Sequence, residues 1–155
     1  MKTMSLLKKL GLPLLSAMFI ASILISACSK QDSIEIKNQW VRASNDGQDV
    51  SAAYMTIVSN EDTSLIAIDS DVADVIEIHS MSMENGVMKM RMLDTLDLIA
   101  GKPTELSPGG FHLMLFDLKK PLTAGKEAHF TLHFKNKAGQ EKLISVTSAI
   151  KAEAP

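Results

Sequence analysis

Residues 75–93 read VIEIHSMSMENGVMKMRML, and the pair Asn85-Gly86 near the middle governs how the rest is read. Asn-Gly between two alternating runs is a strong signal for a two-residue type I′ hairpin, because both residues accept the positive φ that this turn demands. A two-residue turn fixes the register: Met83 faces Met88, Met81 faces Met90, and His79 faces Met92. Cross-strand partners project from the same side of a ribbon. One face therefore carries His79, Met81, Met83, Met88, Met90 and Met92. The other carries Ile78, Ser80, Ser82, Val87, Lys89 and Arg91, and is mostly polar.

Outward from this hairpin the same pattern repeats. Short alternating runs occupy residues 34–43, 51–59, 65–69, 75–81, 87–93, 111–118, 128–135 and 143–150. They are separated by breakers such as NDG, NED, GKP, SPGG, TAGK and KAGQ. No stretch sustains a helical period for three turns. The expected fold is all-β, an antiparallel β-sandwich or small barrel.

The first residues have a different character. Lys2, Lys8 and Lys9 precede an apolar stretch broken by Pro13, and Ile25-Ser26-Ala27-Cys28 follows. A basic start, an apolar run and small residues before a cut site describe a secretory signal. The small pair before the sole cysteine also resembles the lipobox of bacterial lipoproteins, which implies cleavage before Cys28 and lipidation of that residue. The expected organisation is a lipoprotein signal over 1–27, a lipidated tether over 28–33 and a β-sandwich domain over 34–151. The mature protein is then lipid-anchored on the periplasmic side of a bacterial membrane. Ser29, where aspartate is absent, favours the outer one.

Removing that signal takes away three lysines and no acids, leaving thirteen basic against eighteen acidic side chains, a net of −5. No basic stripe remains, which argues against nucleic acid as a partner. No nucleophile–base motif, phosphate loop or paired-carboxylate signature is present, so the chain reads as a non-enzyme.

Methionine is the compositional anomaly: there are ten, and five fall between Met81 and Met92. A second soft-donor pair lies in GGFHLMLF, residues 109–116. Strand alternation sends Phe111, Leu113 and Leu115 to one side, the core, and His112, Met114 and Phe116 to the other. The glycines before it, Gly109 and Gly110, are expected to turn the chain sharply. Thioether sulfur is a soft, neutral ligand that suits Cu(I), and imidazole binds copper as well. His112 and Met114, about 6.6–6.8 Å apart along the strand, can converge on one ion. His79 and Met90 are diagonal neighbours, about 7–8 Å apart. Methionines also fill irregular cores, and packing is the plainer role for any one of them.

His79, Met90, His112 and Met114 together reproduce the spacing H-x10-M-x21-H-x-M. That spacing, with NGVMKMRML, LSPGGFHLMLFDLKKPLTAG, WVRA and AAYMTI around it, resembles the periplasmic PCu(A)C-type copper chaperones from about residue 34 onward. The resemblance implies a cupredoxin-like, immunoglobulin-like sandwich binding one Cu(I) per chain through those four side chains. It also implies delivery toward the binuclear copper centre of respiratory oxidase, with an oxidase subunit or another copper chaperone as partner. The chain is expected to be a monomer. Met81, Met83, Met88 and Met92 lie outside the motif.

The remaining histidines, His129 and His133, fall on the outer side of HFTLHF, about 13 Å apart, and are read as solvated. Trp40 and Tyr54 are read as core or interface residues. Two other functions compete. An electron-transfer cupredoxin needs a cysteine thiolate beside two histidines, and the only cysteine is Cys28. A lipid-anchored binding module needs no metal, and uses the methionine face to hold a protein partner.

Overall fold

The computed structural model describes residues 33–154, so the expectations for the signal, for Cys28 and for most of the tether fall outside the described residues. Ten strands follow one another: β1 (Ile34–Arg42), β2 (Ser51–Ser59), β3 (Thr63–Ser70), β4 (Ala73–Glu84), β5 (Val87–Leu93), β6 (Leu96–Leu98), β7 (Pro103–Leu106), β8 (His112–Leu118), β9 (Glu127–Asn136) and β10 (Glu141–Lys151). Among the described residues there is no helix. The strands hydrogen-bond in the order β5-β4-β8-β2-β1-β10-β9-β3-β6, with β7 beside β2. All pairs are antiparallel except β1 with β10, which run parallel over Trp40–Arg42 and Ala149–Lys151. Two short strands, β6 and β7, were not expected. Three or four residues are too few to show alternation.

The hydrogen-bonded path closes over one core. Ala53, Met55 and Ile57 of β2, Ile78 of β4 and Leu113 and Leu115 of β8 come from one half of the path. Leu65 of β3, Phe130, Leu132 and Phe134 of β9 and Val146 of β10 come from the other, and all belong to one buried cluster. Two sheet halves with apolar faces inward make a sandwich, the arrangement that lets each half bury its apolar side. His129 and His133 lie outward between Phe130, Leu132 and Phe134, as expected. His133 is held by Asp69 at 2.6 Å.

A smaller cluster sits on the opposite side of the β2–β8 sheet. Trp40, Ala52 and Tyr54 are buried there, with Met114 packed against them. Trp40 reaches that side because of an irregularity in β1. The register with β2 shifts between Lys37 and Trp40, and Asn38 has φ +53°. A bulge adds one residue and reverses the alternation beyond it. Ile34 and Ile36 thus face the main core before the bulge, and Val41 faces it after, leaving Trp40 on the other side.

The hairpin forms in the expected register, with Met83 opposite Met88, Met81 opposite Met90 and His79 opposite Met92. Asn85 and Gly86 have φ of +53° and +78°, the signs a type I′ turn requires. One expectation fails. Phe111 does not enter the core but is 37% exposed. β8 begins only at His112, because Gly109, with φ +88°, still bends the chain and the alternation has not started.

Candidate metal centre

The outer face of β5, β4, β8 and β2 gathers the soft donors. His79 of β4 is the Cα partner of His112 of β8, and Glu77 is the partner of Met114. Ala52 of β2 stands across from Met114 on its other side. Leu113 and Leu115 go to the core, so His112 and Met114 must point to this face. The imidazole rings of His79 and His112 have centroids 5.8 Å apart.

Each ring has one nitrogen already committed. His79 Nε2 lies 2.7 Å from Glu77 Oε2. The carboxylate can only accept, so Nε2 donates, and in the neutral ring Nδ1 is the nitrogen with the lone pair. That Nδ1 is buried and has no hydrogen-bond partner. A buried nitrogen without a partner is costly, and a soft cation is one group that relieves it. His112 Nδ1 lies 3.0 Å from the Gly110 carbonyl oxygen, so Nδ1 donates and Nε2 keeps its lone pair. Fixing one ring nitrogen by a carbonyl or carboxylate is how outer partners orient metal-binding imidazoles.

The Gly110 carbonyl accepts a second bond, from the backbone N–H of Met81 at 3.1 Å. One oxygen thus ties the loop before β8 to β4 and sets the ring of His112. The loop comes into place through Gly109. No atom lies within 4 Å of a Cβ built there, so the constraint is backbone conformation alone. Gly110 has no positive φ, and only the first glycine of the pair is required for the turn.

His112, Met114, Met90 and Met81 line one cavity of about 290 Å³, with Arg42, Tyr54 and Gly109 among its other walls. His112 is 4% exposed. Three of the four expected side chains therefore share one cavity. His79 does not line it, and stands behind His112 at ring-contact distance. Met92, directly across from His79, lines a different recess beside Glu77 and Ile78. The cavity rests on Tyr54, whose ring stacks on Trp40 at 4.5 Å. The Arg42 guanidinium lies 5.8 Å from the Tyr54 ring centroid. Burial pushes the Tyr54 phenol above its ordinary pKa, and Arg42 partly pulls it back.

Three contributors were not singled out from sequence. Glu77 could have been, because it sits two residues before His79 and shares its face. Arg42 and the Gly110 carbonyl could not, since only tertiary contact brings them there. A larger recess of about 450 Å³ lies at the other end of the sheet, with Asp62, Asp97 and Lys137 in its wall. The Ala100 N–H, and after it Lys137 paired at 2.7 Å, hold the Asp62 carboxyl below its usual range. Among the described residues no three His, Cys, Asp or Glu side chains group as a metal site. The donors that do converge are imidazole and thioether.

With this fold and site in view, the chain belongs to the LpqE-like family, described as "Putative lipoprotein LpqE-like", whose model matches residues 34–147. Two relatives are similar over part of their length. One is "Putative lipoprotein Lxx21020" of Leifsonia xyli subsp. xyli, 28% identical over 66% of this chain and 63% of that protein. The other is RP573 of Rickettsia prowazekii, 36% identical over 64% of this chain and 55% of that protein. The chain thus spans less than two thirds of either relative's length. Among solved structures, the copper-bound PCuAC domain of PmoF2 aligns with a TM-score of 0.63 and 26% identity, over 78% of this chain and 94% of that one. The Cu(I) form of DR1885 from Deinococcus radiodurans aligns with a TM-score of 0.61 and 25% identity, over 81% and 84%. The fold is that of the PCuAC domains, a cupredoxin-like β-sandwich.

Proposed function

We propose that this chain is an extracytoplasmic Cu(I) carrier in which His79, Met90, His112 and Met114 hold one ion. The observation that carries the reading is the convergence of soft donors at the β4–β8 junction. Two imidazoles face each other in register, each with one nitrogen tied back, and two thioethers share a cavity with one of them. The likeness to copper-bound PCuAC domains supports the same reading. A set of two imidazoles and two thioethers carries no charge, which matches a monovalent d¹⁰ ion better than Zn(II) or Ca(II). Neutral thioethers bind more weakly than thiolates, and weak binding lets the ion be handed on.

His79 takes part through Nδ1, the buried nitrogen opposite the one that Glu77 holds. Cys28 carries the lipid that keeps the carrier at the membrane, the outer one by virtue of Ser29. The copper goes to an oxidase subunit with a binuclear copper centre, directly or through another chaperone. The deciding experiment is anaerobic Cu(I) titration against a chromophoric chelator, paired with X-ray absorption on the loaded protein. One Cu(I) with two nitrogen and two sulfur neighbours is expected. Unchanged affinity in the Met90→Ala/Met114→Ala variant overturns the assignment.

A further inference from the structure

The hairpin carries methionines that this inner set does not use, and two of them, Met83 and Met88, stand exposed at its tip. β5 is an edge strand, and every residue from Val87 to Met92 is exposed. The reverse face of the ribbon is ionic at its tip, with Glu84 paired to Lys89 at 3.0 Å and to Arg91 at 2.6 Å. Met83 is 64% exposed and Met88 48%. Filling a core therefore does not account for either side chain.

Register makes these sulfurs neighbours. Met83 faces Met88, and Met81 faces Met90 one step further from the turn. The Met81 N–H is given to Gly110 on the β8 side, so Met81 and Met90 form a non-hydrogen-bonded pair. Alternation makes Met83 and Met88 another such pair, two residues along. Side chains in these pairs stand closest, with Cβ atoms about 4.5–5.5 Å apart. Met81 follows Met83 at about 6.6–6.8 Å on the same face. Three long, flexible thioethers within that span can meet on one soft ion. Met81 also lines the inner cavity beside Met90, Met114 and the buried His112, so the ladder runs from the exposed tip to that cavity without a gap.

We propose that Met81, Met83 and Met88 form a second, weaker Cu(I) site at the tip of the hairpin. It captures the ion from solvent or a donor and passes it rung by rung to Met90. Each step is a ligand exchange at constant oxidation state: one thioether leaves as the next binds, and no electron or proton moves. The tip site's rank as the second, weaker one and the direction of transfer rest on the inner-site reading; the tip site itself does not.

The test uses the full chain labelled with ¹³C at the methionine methyls, titrated with Cu(I) under anaerobic conditions. Met90 and Met114 methyls are expected to shift with one equivalent, and Met83 and Met88 with a second equivalent bound at least about tenfold more weakly. The M83L/M88L variant keeps shape and apolarity but removes sulfur, and is expected to lose the second equivalent while keeping the first. Met83 and Met88 methyls that stay unmoved through two equivalents overturn the proposal, as does a second equivalent bound as tightly by M83L/M88L as by the wild type. If instead Met90 and Met114 stay still while the tip methyls move, the inner assignment fails and the tip site stands.

Discussion

His79 and His112 stand directly opposite each other on β4 and β8, with ring centroids 5.8 Å apart. Their spare nitrogens are different ones: Nδ1 on His79, because Glu77 holds Nε2, and Nε2 on His112, because Gly110 holds Nδ1. A carboxylate anchors one ring and a backbone carbonyl the other, so the two rings respond differently to substitution of their anchors.

Glu77 holds the His79 ring at 2.7 Å, and in the proposed site it acts on the ring rather than on the ion. Glu77→Ala is expected to lower Cu(I) affinity by about 10–100-fold, the usual cost of losing such an outer partner. Glu77→Gln keeps an acceptor oxygen for Nε2–H and recovers part of the loss. Competition with a Cu(I) chelator measures both, and equal affinity in all three proteins removes Glu77 from the site.

Trp40 is the sole tryptophan, buried in the cluster against which Met114 packs. Cu(I) binding through the Met114 sulfur is expected to change its fluorescence, saturating at one equivalent. The response should vanish in Met114→Ala. A signal that persists unchanged in that variant points to a different binding place.

The Tyr54 phenol is raised by burial. Its neutral form is favoured in the folded state, so its contribution to stability is complete below the unfolded pKa of about 10 and is lost as pH rises through the higher folded value. Ultraviolet titration of the folded protein should show phenolate appearing later than in urea. Tyr54→Phe should remove the difference, because this is the chain's only tyrosine.

Gly109 adopts φ +88°, a conformation that costs an L-residue about 1–2 kcal/mol. Gly109→Ala meets no atom within 4 Å, so strain is its whole effect. The thermal unfolding midpoint should fall by about 4–8 °C. Cu(I) affinity should fall with it, because the Gly110 carbonyl that orients His112 moves. Gly110→Ala, with neighbours only at ordinary contact distance, should be mild in both measurements.

The hairpin was legible in the sequence because Asn85-Gly86 is a local instruction. A two-residue I′ turn leaves one register, and that register orders the methionines on one face. The faces of β8 were legible for the same reason, except at Phe111, where Gly109 postpones the alternation. The bulge at Asn38 was not legible. Read as a regular strand, β1 puts Trp40 on the side of Ile34 and Ile36, and only a one-residue irregularity sends it to Tyr54 and Met114. β6 and β7 were too short to carry a period.

By itself, then, the sequence determined what regular alternation and a local turn dictate: the faces of the unbulged strands, the hairpin register, and the side-chain types at fixed intervals. Tertiary structure decided which strands lie side by side, bringing His112 opposite His79 and the Met114 side chain onto the Trp40–Tyr54 cluster. The physical reason is that period-two alternation fixes the side on which a residue emerges. Strand order is set instead by how distant apolar faces close over a common core, and no local rule encodes that choice.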